Sequence, residues 1–150
     1  MTIKFPLAQI DDLDRLILLE KEFYEFEHLD FNEDVCRTVL RDIINTESFG
    51  RVWLIESEQE AIGYAVVTFG YSVEYRGKFA LIDELYLRSS HRGQGIGTQI
   101  LQVVEETCRH LGIQSTHLEV DYNNDRAKQV YQRLGYEDKN RYFMSKWLMD

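Results

Sequence analysis

The sequence predicts one mixed α/β domain over residues 1–150, and three observations point to that class. Apolar residues recur at helical spacing in four stretches. Three consecutive runs rich in β-branched and aromatic residues stand between the second and third of these, and beyond them single strand-like runs alternate with the remaining helices. A chain of 150 residues with 44% hydrophobic content can bury one core and does not require a second.

The elements follow in order. Ile3 and Phe5 open a short strand before Pro6, the sole proline. Asp11 or Asp12 is placed to cap a first helix carrying Leu13, Leu16, Ile17, Leu19, Phe23 and Phe26 near helical spacing. A second helix is expected through "EDVCRTVLRDII", with Val35, Val39, Leu40 and Ile43 inward, ending before "NTESFG". The period then changes to that of strands. "RVWLIES" and "AIGYAVVTFGY", separated by "EQE", read as an antiparallel hairpin, and "KFALIDELYL" follows the Arg76-Gly77 turn as a third strand. From Gly97 to Leu111, Ile100, Leu101, Val104, Cys108 and Leu111 keep helical spacing up to Gly112. "THLEV" is expected as a strand, "NDRAKQVYQRL" as a helix stopped by Gly135, and "RYFMSKWL" as a final strand.

Composition narrows the function. The formal net charge is −9, which disfavours nucleic acid and anionic membrane surfaces and suits a cationic partner. The two cysteines, Cys36 and Cys108, have neither disulfide-framework nor zinc spacing, so reduced thiols and a cytoplasmic location are expected. The N-terminal stretch lacks the pattern of a signal peptide, and no run is apolar for long enough to span a membrane. His28, His110 and His117 are scattered without metal spacing, so no metal is expected.

The chemistry concentrates in "RSSHRGQGIGTQI", where Gly93, Gly95 and Gly97 alternate between a strand and a helix. Glycines there let backbone N–H groups approach a ligand, and the following helix adds the positive end of its dipole, so a phosphate is the natural guest. Arg88, His91 and Arg92 add local positive charge. The spacing fits neither GxxxxGK[ST] nor GxGxxG. The alternative is a tight turn that holds nothing.

A second block resolves the guest. "ELYLRSSHRGQGIGTQIL" followed by "LEVDYNNDRAKQVYQRLGY" resembles the GNAT superfamily of acetyl-CoA-dependent N-acetyltransferases over about half the chain, and the order of elements resembles it over nearly all. The family's loop, [RQ]-x-x-G-x-[GA], is met by Arg92, Gly95 and Gly97. Its second block, N-x-x-A-x-x-x-Y-x-x-x-G-[FY], is met by Asn124, Ala127, Tyr131, Gly135 and Tyr136. The resemblance implies a mixed, mostly antiparallel sheet of six to seven strands flanked by about four helices. It also implies that Gly93, Gln94, Gly95, Ile96, Gly97 and Thr98 hold the pyrophosphate of acetyl-CoA. Leu85, Tyr86 and Leu87 would pair edge-on with its pantetheine amides, with a backbone N–H near Leu87 polarising the thioester carbonyl. Asn124 would cap its helix and touch the cosubstrate, and Tyr131 would protonate the departing thiolate.

The base is open at this stage. An alkyl amine of pKa about 10 is almost wholly protonated at neutral pH, so a carboxylate must take its proton, directly or through water. "IDEL" offers Asp83 and Glu84, which strand alternation sends to opposite faces. The resemblance favours Asp83, nine residues before Arg92, by analogy with polyamine and aminoglycoside acetyltransferases. Glu84 is second. Glu119 is third, by analogy with protein-alanine acetyltransferases. The acidic run from Glu20 to Asp34 reads either as a solvated helix face or as a mouth for a cationic acceptor. The expectation is direct acetyl transfer to a primary amine, first a small cationic one such as a polyamine or aminoglycoside. A protein N-terminus or lysine, and a non-catalytic acetyl-CoA-binding module, are the alternatives, and a homodimer is compatible with the family.

Overall fold

A five-stranded sheet in sequential order forms the middle layer of the computed structural model, which describes residues 2–149. Its strands are β1 (Ile3–Lys4), β2 (Gly50–Ser57), β3 (Glu60–Ser72), β4 (Gly77–Leu87) and β5 (Ser115–His117). Neighbours run antiparallel through β4, and β5 joins β4 in parallel after a helical crossover. The helices are α1 (Leu13–Phe26), α2 (Glu33–Asn45), α3 (Ile96–His110) and α4 (Asp125–Arg133). The chain divides into two units, residues 2–119 and 120–149, and all five strands and the first three helices belong to the first.

Periodicity placed these helices and strands, and burial explains why. Leu13, Leu16, Ile17 and Leu19 of α1 and Leu40 and Ile43 of α2 form one cluster with Val52, Leu54, Tyr64, Val66 and Tyr86 of the sheet. Trp53, Ile55, Ala65 and Val67 alternate with these strand residues and are also buried, as are Ile96, Ile100, Leu101, Val104 and Cys108 of α3. Both sheet faces are therefore covered, as the apolar character of β2 and β3 on both sides requires.

Several expectations need correction. Among the described residues the strands number five rather than six or seven. Val35 and Val39 are exposed, because α2 turns Leu40 and Ile43, with Cys36 and Ile44 beside them, toward the core. Asp12 does not cap the N–H groups of α1; its carboxylate turns back to accept from the Gln9 N–H at 2.8 Å, at the head of a 3₁₀ turn over Ile10–Asp12. The strand expected in "THLEV" begins at Ser115 and ends at His117. "RYFMSKWL" forms no strand. Its composition favours extended backbone, but a strand exists only through ladder partners, and Tyr142, Phe143 and Trp147 remain exposed.

Candidate active site

The loop after β4 is braced from both ends. Arg92 Nε donates to the Leu87 carbonyl at 2.7 Å, and the guanidinium lies 4.6 Å from the Phe26 ring centroid and 5.8 Å from that of Tyr86. Gly93 (φ +76°) and Gly95 (φ +84°) occupy the left-handed region, which a side chain would strain. A Cβ at Gly93, Gly95 or Gly97 would meet nothing within 4 Å, so the loop faces open space. Gly95 is the N-cap of the 15-residue α3, and no side chain satisfies its first N–H groups. Glycine backbone, open approach and an uncapped helix start fit a diphosphate across Gly93, Gln94, Gly95, Ile96, Gly97 and Thr98. Arg88 is less available than its place in the sequence suggests. It pairs with Glu22 at 2.9 Å and Glu60 at 3.2 Å.

Beside the loop, β4 outlasts its parallel partner. Pairing with β5 stops at Leu81 opposite His117, while pairing with β3 continues to Leu87 opposite Gly63. Among the described residues, Leu85, Tyr86 and Leu87 therefore have a strand neighbour on one side only, leaving an edge that an amide-bearing chain can use. Tyr86 offers backbone alone, because its buried side chain reaches away to donate from the hydroxyl to Glu22 at 3.1 Å.

A β-bulge decides the placement of the two adjacent carboxylates. Glu84 lies opposite Val66 and Ile82 opposite Val67, so Asp83 is the extra residue in β4. Glu84 shares the face of Val66 and Tyr64, toward α1, and accepts from the Tyr64 hydroxyl at 3.2 Å. Asp83 is exposed. Its pKa is nonetheless raised, first by the protein around its carboxyl and then by the negative charges of Glu84 and Glu119. Glu119, exposed beyond the end of β5, thus acts on Asp83 through its charge.

Sequence reasoning overlooked Glu20 on α1. The residue is 2% exposed, and burial pushes its pKa up to about 10, helped by a hydrogen bond and charge repulsion from Glu84. The available signal was its position: Glu20 continues the apolar stripe of Leu13, Leu16 and Ile17, where a charged side chain is out of place.

In the second unit, Asn124 caps α4 as expected, its Oδ1 accepting from the Ala127 N–H at 3.1 Å. Tyr131 is half-buried, its ring edge-on to Tyr136 at 6.0 Å, and desolvation raises the pKa of its phenol. Its hydroxyl therefore holds a proton at neutral pH. Cys108 is a core residue, His110 lies 3.3 Å from Glu106, and His117 stacks on Tyr75 at 3.9 Å. Among the described residues no group of His, Cys, Asp and Glu could hold a metal ion, and no helix is long and apolar enough to cross a membrane.

A glycine cradle at a helix start, an open strand edge leading into it and a carboxylate on a bulge just upstream are parts that acyl transfer from coenzyme A calls for. Residues 13–136 match the acetyltransferase (GNAT) family, and the chain belongs to it. It is an acetyl-CoA-dependent N-acetyltransferase. It is 28% identical over 140 residues to the thialysine N-ε-acetyltransferase of Bos taurus, covering 87% of this chain and 82% of that protein. An integron cassette protein from the mobile metagenome of the Cole Harbour salt marsh is 30% identical with a TM-score of 0.87, covering 97% of this chain and 91% of that one. The aminoglycoside N-acetyltransferase AAC(6')-Iy, solved with CoA, shares the fold at 15% identity with a TM-score of 0.85, covering 99% and 96%.

Proposed function

We propose that the acceptor is a small cationic primary amine, acetylated by direct attack in a ternary complex with Asp83 as the base. The observation that carries this reading is the bulge: it leaves Asp83 open to solvent with two further carboxylates, Glu84 and Glu119, acting on it. Such a site attracts an ammonium and, with its raised pKa, is better matched to take a proton than an ordinary aspartate. The relatives named for acetylating the ε-nitrogen of thialysine support a small amine over a protein.

Bound acetyl-CoA would supply the activated acetyl thioester. The chain's own groups would do the rest. Gly93 to Thr98 hold the diphosphate, and the free edge from Leu85 to Leu87 orients the pantetheine, its backbone N–H groups donating to the carbonyl oxygen where charge develops. Asp83 accepts the proton lost by the attacking nitrogen. Tyr131 donates its phenolic proton to the departing sulfur, and Asn124 holds the start of the helix that carries it.

A kinetic screen with acetyl-CoA against polyamines, aminoglycosides, lysine analogues, amino acids and peptides tests the reading. Turnover of one or more small diamines is expected. Turnover confined to peptides would overturn the acceptor assignment, and acetyl-CoA binding without turnover of any amine would overturn the catalytic one.

A further inference from the structure

The mechanism above leaves the buried carboxyl of Glu20 unused. Glu20 projects from α1 into the cluster formed by α1, α2 and the sheet, where its side chain is almost wholly enclosed, and the main influences on it, burial, Glu84, Tyr64 and Asp83, include no cation. Its Oε2 is buried and receives no hydrogen bond among the described residues. The groups around it are Glu84 and Asp83 of β4, Tyr64 of β3, Tyr24 of its own helix and Cys36 of α2. Each of these is either acidic or neutral. A carboxylate in this position would lack a counter-charge and would face a second carboxylate, an arrangement that burial strongly disfavours.

We propose that Glu20 is a positioning residue that carries a proton at neutral pH and donates it in a hydrogen bond to Glu84, anchoring Glu84 beside Asp83. Burial and an oxygen without a donor account for the proton on Glu20. A carboxyl oxygen with no donor to accept from is where a proton belongs, and two carboxyl groups can hydrogen-bond only if one of them is an acid. Tyr64 is fully buried and already donates to Glu84 Oε1. Glu84 is thus held by a phenol and a carboxylic acid, both from inside the protein. Its charge then stands at a constant place next to the bulge, where it raises the pKa of Asp83.

This inference rests on Asp83 being the base, so its test reads the carboxyl groups themselves. Carboxyl ¹³C NMR titrations of the full chain would follow Glu20 and Asp83 in the wild type, Glu20→Gln and Glu20→Leu. Glu20 is expected to stay protonated through neutral pH. Glu20→Gln retains a donor of the same shape and should leave the Asp83 titration where it is. Glu20→Leu keeps the bulk without the donor. Glu84 then loses one of its two anchors and turns toward water, which weakens the charge at the bulge and moves the Asp83 titration to lower pH. An ionised Glu20 at neutral pH, or a Glu20→Leu titration identical to that of wild type, would overturn the inference. Activity of Asp83→Asn at the wild-type level would instead remove the base assignment while leaving these titrations to decide the role of Glu20.

Discussion

Three acidic side chains of β4 and α1 stand in three different surroundings. Asp83 stands outside the ladder, Glu84 is held by Tyr64, and Glu20 is sealed in the core. If Asp83 is the base, kcat/KM falls as pH drops through its raised pKa, so the acid limb lies above the range of an ordinary aspartate. Removing the neighbouring charge in Glu84→Gln should move that limb to lower pH, as a pH–rate profile would show. Asp83→Asn should lower kcat/KM by about 10²- to 10⁴-fold. Tyr131→Phe should reduce kcat while acetyl-CoA affinity, read by calorimetry, changes little. Glu20 also makes a stability prediction. Its folded pKa of about 10 lies above the unfolded carboxylate value, so its contribution is intact below that unfolded value and is lost as pH rises toward 10. Relative to Glu20→Gln, the wild type should lose up to about 1.4 kcal/mol per pH unit across that window, measured by urea unfolding at several pH values.

At the scale of elements, the loop and the strand edge make one cradle because β4 continues past the end of β5. Gly95 stands in the left-handed region at the start of α3, and Gly112 stands there just past its end. Alanine at either should cost about 1 kcal/mol of backbone strain. Only Gly95→Ala should also weaken acetyl-CoA binding, since Gly112 is at the opposite end of the helix; calorimetry on both variants separates strain from lost function. The helices and the β2–β3 hairpin were legible in the sequence, because periodicity and turn composition are short-range signals. The bulge was not, since it depends on how β4 registers against β3 and leaves no mark in "IDEL". The final strand expected in "RYFMSKWL" failed for a related reason: strand composition does not provide a partner.

For the whole molecule, the net charge of −9 is a long-range field. A cationic acceptor should be drawn in by it, so kcat/KM for such an amine should fall as salt rises from about 10 mM to 150 mM, over which the Debye length shrinks from about 30 Å to 8 Å. A neutral amine should show little change, and an equal salt effect on both would remove electrostatic attraction from the account. Part of the acidic run is already spent internally. Glu22 is tied to Arg88, Glu33 to Arg37, and Glu20 is buried, which leaves Glu25, Glu27, Asp30 and Asp34 exposed.

The sequence alone determined the order of elements through α4, the glycine loop between a strand and a helix, and the pair of spaced blocks that resemble the acetyltransferases. These depend on residues near one another in the chain, whose conformational preferences are largely local. Tertiary structure alone decided that Glu84 faces α1 while Asp83 faces solvent, that Arg88 is consumed by Glu22 and Glu60, and that Glu20 sits uncompensated beside Glu84. Those outcomes are set by register, burial and the charges of residues tens of positions away, because the ionisation of a carboxyl depends on what packs around it.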